Sequence, residues 1–463
     1  MRSKIFINSL ISMATYVKQV WNLMRQERLF SVIYILGTGL SVAVVMALSI
    51  VFYIKVANIY PEMNRDRMLV LSRGIERSGS GYSAGSVSYG FIRDQLKTLS
   101  SVEAVSAVSD AGSNHYVQPD DNRKPIAVKL IYTDAEFWTV FRFRFREGRP
   151  FTDADVQSGV GSVVIARSLA RKLFGEESSS EEKVKPSSEA ELVSQEQSEA
   201  GAVGRYFTLD AVQYRICGVV DDASWVTKNS YAQVWAPYSV KSDLLEGWGQ
   251  SGYIGDMEAY ILTPSADDVA RVKQEITNNF QRYASQFGEV KLDLIGQPDR
   301  HWQNAFRDGD YNIELSSILM RYGLILLILL LVPAISLSGM ADSRMERRLA
   351  EMGVRRAFGA RTSVLMRQVL FENMIFTLLG GLVGLMISYA LVLTGGRWLL
   401  STGQGKTYPL PDGMDVILSP SMLLNLNVFG ITLTVCFLLN LFSAMIPAWR
   451  ASRHQIIHSL NIK

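Results

Sequence analysis

The chain has 463 residues, a formal net charge of +3 and 20% charged residues, a near-balance that lacks the basic excess of a nucleic-acid binder. The charge is unevenly spread: four stretches, 29–54, 322–341, 373–396 and 416–449, hold no Asp, Glu, Lys or Arg, and the remainder is charged like an ordinary soluble protein. This excludes a purely soluble globule and equally a protein made mostly of membrane helices.

In chain order, residues 1–28 come first. Phe6, Leu10, Met13, Val17, Val20 and Met24 recur every three or four positions, with Lys4, Asn8, Lys18, Asn22 and Arg25 elsewhere on the wheel. The spacing predicts an amphipathic helix on the cytoplasmic membrane face with Trp21 as an interfacial anchor. A stripe packed against other protein gives the same pattern. No short apolar core with a small-residue cleavage site precedes it, so no removable signal peptide is expected.

The uncharged stretches predict four transmembrane α-helices, over 29–54, 318–341, 373–396 and 420–447. Pro420 suits a helix start and Pro447 a helix end, and Arg321 lies where a long side chain reaches the interface. One such run could be the core helix of a soluble domain; four of this length cannot be read so.

Orientation follows from basic residues in the short flanks. Residues 1–28 hold five Lys+Arg, 342–372 hold seven and 448–463 hold three, whereas 397–419 holds only Arg397 and Lys406, offset by Asp412 and Asp415. Both termini and the 342–372 loop are therefore expected inside, and the large segment between the first two helices outside.

That large segment, 55–317, reads as α+β. Strand-like runs fall at 68–72, 126–133, 162–166, 214–220 and 232–238, with helical patterns at Tyr89–Leu99, Arg167–Phe174 and Asp267–Phe287. Residues 78–86, SGSGYSAGS, read as a flexible loop. Residues 176–200 contain eight Glu, two Lys and seven Ser with no aromatic residue, so a disordered insertion is expected there, dividing the segment into two intertwined parts.

Several patterns imitate chemistry. Gly81-Tyr82-Ser83-Ala84-Gly85 matches G-x-S-x-G, but a nucleophile elbow needs an apolar strand before it and a helix directly after. Gly405-Lys406-Thr407 resembles the end of a phosphate loop, yet Leu400 stands where the first glycine belongs. His454 and His458 lack a third metal ligand nearby, and His115 and His301 sit in unrelated contexts. Cys217 and Cys436 are expected to be unpaired, so no metal, cofactor or catalytic residue is assigned.

The loop between the second and third helices is more informative. It runs Arg348, Leu349, Ala350, Glu351, Met352, Gly353, Val354, Arg355, Arg356, Ala357, Phe358, Gly359, Ala360, Arg361. Gly353 and Gly359 let a basic helix turn along the membrane and present a docking element, while setting topology alone would explain the basic residues. In the third helix, Gly380, Gly381 and Gly384 offer a small-residue face for close helix packing.

That loop and the glycine-rich helix after it resemble the FtsX-like permease domain of ABC transporters. Pro447-Ala448-Trp449-Arg450-Ala451-Ser452 is similar to the closing element of the same family. Externally, Glu147-Gly148-Arg149-Pro150-Phe151-Thr152, Val163–Ala166, Leu173-Phe174-Gly175, Val203–Phe207 and Tyr214–Val220 look like the periplasmic core of MacB-like permeases. Ala350 stands where the family often has Arg, and the 176–200 insertion is unusual. The resemblance implies an inner-membrane permease of the mechanotransmission type with a periplasmic domain. It would bind no cofactor itself, its ATP and Mg residing in a partner cytoplasmic ATPase. A second permease subunit, homo- or heterodimeric, the lipid bilayer and an adaptor or outer-membrane protein are the other implied partners. Arg348, Glu351, Met352, Gly353, Val354, Arg355, Arg356, Gly359, Ala360 and Arg361 would couple to the ATPase, and continuous stalk helices over 55–66 and 303–317 would carry movement outward. Two alternatives remain: a permease-like regulator of an envelope enzyme, and a ligand-binding sensor, which the short cytoplasmic pieces disfavour.

Overall fold

The computed structural model describes residues 18–79 except 19, 23 and 27, then 81–119, 124–174, 201–307, 362–401 and 427–438 except 436, with isolated residues at 316–328 and at 354. Two compact units result: a helical unit of Met1–Tyr53, Glu314–Leu400 and Leu418–Lys463, and a sheet unit of Ile54–Ile313 and Ser401–Ile417.

Helix α1, Arg28–Val56, leads into strands β1 Met68–Leu71, β2 Gly74–Ser78, β3 Gly81–Val87, β4 Ala104–Gln118, β5 Ile126–Thr133 and β6 Phe145–Gly148. Then come α2 Asp153–Ser158, β7 Ser162–Ala166 and α3 Arg167–Phe174, followed by β8 Tyr206–Leu209, β9 Val212–Val220, β10 Val234–Pro237, β11 Ile254–Gly255 and β12 Glu258–Leu262. Helix α4 Val269–Ala284, β13 Lys291–Asp293, β14 Asp299–Arg300, α5 His301–Asn304 and α6 Thr362–Ser401 complete the order.

The main sheet runs β14-β1-β12-β4-β5-β10-β7-β9-β6, with β8 bridging β4 and β9. Most pairs are antiparallel, whereas β5–β10 and β7–β9 are parallel. Strands from both sides of 175–200 interleave, since β7 lies between β10 and β9. Side chains of β1, β7 and β10 are buried on both faces, which is why these strands read as nearly continuous apolar runs. Leu69, Leu71, Val163, Ile165 and Ile261 face one core, closed by Val269, Val272, Ile276 and Phe280 of α4 at helical spacing. Met68, Val70, Val164, Trp235 and Leu262 face the other, closed by Phe137, Val140, Phe141 and Phe151. A smaller sheet, β11-β3-β2-β13, stands beside it.

The expected strands at 126–133 and 162–166 and the helix Arg167–Phe174 form over those residues. Residues 78–86 differ from expectation: Gly81–Val87 is a strand paired with Gly74–Ser78, not a flexible loop. The backbone ladder decides there, because a hairpin needs no large side chain once its partner strand is in place. The G-x-S-x-G pattern therefore lies along a strand and makes no elbow.

Two helical segments among the described residues, Ser31–Val56 and Met374–Gly395, are long and apolar enough to cross a membrane. Residues 427–435, 437 and 438 are helical as well. The rest of the expected spans at 318–341 and 420–447, the insertion 176–200 and the tail 448–463 lie mostly or wholly outside the described residues.

Candidate functional site: a buried ionic joint

The sheet unit begins with residues 55–66, for which the family resemblance implies a stalk helix. The helix instead stops at Val56. Pro61 cannot continue a helix, and the orphaned carbonyls of the last turn are taken by a side chain. Arg65 donates through Nη1 to Ile54 O and to Ala57 O, both at 2.8 Å. Its Nε donates to Glu62 Oε2 at 2.7 Å. On the returning side only one turn, His301–Asn304, is helical before residue 308, so 303–307 is no continuous stalk either.

Glu62 is the hub. Besides Arg65 it accepts from the Asn229 backbone N–H at 3.1 Å, from Ser230 Oγ at 3.0 Å and from His301 Nε2 at 3.2 Å. Glu62, Arg65 and His301 are 1%, 4% and 4% exposed. Burial alone would raise the Glu62 carboxyl, but the Arg65 charge and the His301 hydrogen bond outweigh it and hold the group at about 2. Burial pushes His301 below its ordinary value, with Glu62 opposing, so the ring is neutral at pH 7 and donates from Nε2. Its Nδ1 has no hydrogen-bond partner among the described residues.

The surrounding segment is knitted into the sheet unit. Tyr60 OH donates to Asp221 O and accepts from Arg144 N–H, both at 3.2 Å, and Asn64 Nδ2 donates to Val140 O at 3.0 Å. Opposite, Arg307 donates to Asp299 at 2.6 Å, a pair whose side chains are 5% and 3% exposed, and β14 places Asp299 beside Val70.

Of the residues assigned to ATPase coupling, Val354 is helical and 45% exposed. Arg348, Glu351, Met352, Gly353, Arg355, Arg356, Gly359, Ala360 and Arg361 lie outside the described residues. The three glycines are all on α6. A Cβ on Gly380 would collide with Thr38 Oγ1, and one on Gly384 would lie 2.6 Å from Gly39 O. A Cβ on Gly381 would strike Leu433 Cδ1. Thr38 is fully buried and bonds back to Tyr34 O at 2.9 Å, so Thr38 and Gly39 of α1 are the counterpart that sequence reading left out. The signal was present in Gly37-Thr38-Gly39, a small-residue cluster inside an apolar run.

Other sequence candidates separate. His115 bonds Asp210 and Ala111 O, partners that it does not share with His301. Cys217 is unpaired and donates to Val163 O at 3.2 Å, and burial pushes its thiol up to about 12, where it is inert at neutral pH. No group of three His, Cys, Asp or Glu able to hold a metal occurs among the described residues.

Residues 31–279 match the MacB-like periplasmic core domain, and residues 323–456 match the FtsX-like permease C-terminal region. A pyoverdine export ATP-binding/permease protein of Pseudomonas syringae pv. syringae is 27% identical over 280 residues, 60% of this chain and 36% of the relative. A macrolide export ATP-binding/permease protein of Wolinella succinogenes is 24% identical over 56% of this chain and 35% of the relative. The chain thus spans about a third of the length of these curated relatives. The solved periplasmic region of MacB from Actinobacillus actinomycetemcomitans aligns over 48% of this chain and 88% of its own, at 15% identity and a TM-score of 0.29.

Proposed function

The chain belongs to the family of proteins with a MacB-like periplasmic core domain and an FtsX-like permease C-terminal region, and from that membership we infer that it is the permease part of an ABC exporter in the cell inner membrane. On this reading the four apolar stretches span the membrane, both termini are cytoplasmic and the sheet unit is periplasmic. The driving ATP and its Mg are held by a partner ATPase, and a second permease subunit completes the membrane assembly. A periplasmic adaptor or outer-membrane partner would receive what is exported.

The observation that carries the reading is the order of the two family matches, which together run along most of the chain from the first apolar helix to residue 456. The relatives, export ATP-binding/permease proteins, supply the class of activity that we carry over. The work of such a part is mechanical: nucleotide-driven closure on the inner side must become movement of the periplasmic domain. Residues Arg348, Glu351 to Arg356 and Gly359 to Arg361 are the proposed contact with the ATPase. The test is Glu351→Ala with Arg355→Ala in the purified complex. Binding and stimulation of the ATPase are expected to be lost while the permease stays folded; wild-type stimulation would contradict the proposed contact.

A further inference from the structure

The ionic joint touches both ends of the chain that builds the sheet unit. Glu62 and Arg65 belong to the leg that follows α1, and His301 belongs to the leg that leaves the sheet unit at 299–307. A second cross-leg contact lies beside it, with Lys55 Nζ 5.7 Å from the centroid of the Phe306 ring. The same carboxylate also reaches the 223–231 loop through Asn229 and Ser230, so one buried group gathers three separate segments.

Buried charge is an expensive way to hold two strands of chain together, and apolar packing of the same volume is often as stable. What the ionic form adds is direction. Apolar surfaces slide past one another at little cost, whereas four hydrogen bonds converging on one carboxylate hold a fixed geometry. Arg65 extends that geometry into the backbone, since the guanidinium that binds Glu62 also holds the carbonyls of Ile54 and Ala57.

We infer that Glu62, Arg65 and His301 are positioning residues that clasp the outgoing and returning legs of the sheet unit, so that the two legs are displaced together. The inference rests on the permease reading for its purpose, because only a part driven from the membrane side needs its two legs to move as one. The β1–β14 pairing joins the legs at residues 69–70 and 299–300; without the clasp, a push on one leg would widen the gap between residues 62 and 301.

The test uses the full chain with its ATPase in nanodiscs, Cys217 and Cys436 replaced by alanine, and spin labels at the exposed positions Met63 and Arg300. In this background the label separation is expected to be one narrow distribution that stays constant when ADP and vanadate trap the complex. His301→Leu keeps the buried volume and removes the hydrogen bond to Glu62; it should broaden the distribution at least twofold and make it shift on trapping. His301→Gln restores a donor and should return the width to within a fifth of that of the unsubstituted clasp. Glu62→Ala should broaden it most, and if that variant does not fold, the His301 pair still decides. An unchanged width in His301→Leu, or a label separation that shifts on trapping with the clasp intact, would overturn the clasp. If no ATPase copurifies or hydrolyses ATP, the permease reading fails, while the width without nucleotide still judges the clasp.

Discussion

The two units solve the same packing problem with opposite surfaces. In the sheet unit the largest side chains are inside: Trp235, Phe137, Phe141 and Phe151 are at most 1% exposed, and ion pairs such as Arg149–Asp155 lie at the surface. In the helical unit Leu36, Leu40, Phe52, Leu382 and Met386 are 52%, 57%, 53%, 52% and 73% exposed, while Thr38 and Ser388 are fully buried. Water drives apolar bulk inward, but lipid is as apolar as leucine and leaves helix association to close backbone approach through small residues. The comparison teaches where each unit is vulnerable. One fails when a large side chain is removed, the other when a small one is enlarged.

The largest expected effect is in the sheet unit. Trp235→Ala should cost about 3–5 kcal/mol, because the ring is fully buried in one core and its Nε1 donates to Ser230 O at 3.1 Å. Denaturant unfolding of the full chain followed by sheet-unit fluorescence measures it, against Leu36→Ala, which should change stability by less than about 0.5 kcal/mol. Equal losses would break the comparison. Glu62→Ala should cost a similar ~3–5 kcal/mol, since it leaves the Arg65 charge buried without its carboxylate.

Gly380→Leu is the matching lesion in the helical unit. Overpacking against Thr38 should cost ~1–3 kcal/mol and lower the melting temperature of the detergent-solubilised protein, followed on the α1–α6 pair. Leu382→Ala, on the exposed face, should leave that melting temperature unchanged.

Acid sharpens the contrast further. The Glu62 carboxyl is held at about 2, below its ordinary 4.5, so its contribution is complete above pH 4.5 and is lost as pH falls toward 2. His301 is held below its ordinary 6.5, so the unfolded chain takes up a proton first and stability also falls as pH drops beneath 6.5. The difference between wild type and Glu62→Gln should therefore shrink as pH falls from 4.5 to 2, as read by thermal unfolding of the sheet unit. A constant difference would mean that the carboxylate is not ion-paired. The smallest effect is expected from deleting 176–200, whose composition cannot bury a core; the melting temperature should move by no more than ~1–2 °C.

Much of the sheet unit was legible because its strands are buried on both faces. Runs such as IAVKLIYT and SVVIA announce themselves by apolar, β-branched content at strand length. The longest strand, Ala104–Gln118, was not legible, since Ser106, Ser109, Asp110, Gly112 and Asn114 mask it. Tertiary partners override that composition: Asp134 accepts from Ser106 Oγ at 2.7 Å and from the Ala107 N–H at 2.8 Å, inside the sheet. The ionic joint was equally hidden. Glu62 and Arg65 look like ordinary surface charges in PEMNRDR, and only folding brings His301 and Ser230 to them. Pro61, by contrast, was a readable stop for the stalk helix. The small-residue face of α6 was visible as a pattern, but its counterpart at Thr38 and Gly39 was not, because a single sequence does not say which helices are neighbours.

The central claim is that ATP on the inner side moves the periplasmic unit through its attachment legs, and hydrogen exchange of the complex with and without ADP and vanadate tests it most directly. Amides of residues 46–56, where the first helix meets its leg, are expected to change protection at least fivefold on trapping and to stop responding in the Glu351→Ala, Arg355→Ala variant, while those of 58–67, 223–231 and 299–307 keep their protection. Identical exchange over 46–56 with and without trapped nucleotide, in a complex that hydrolyses ATP, would contradict the account.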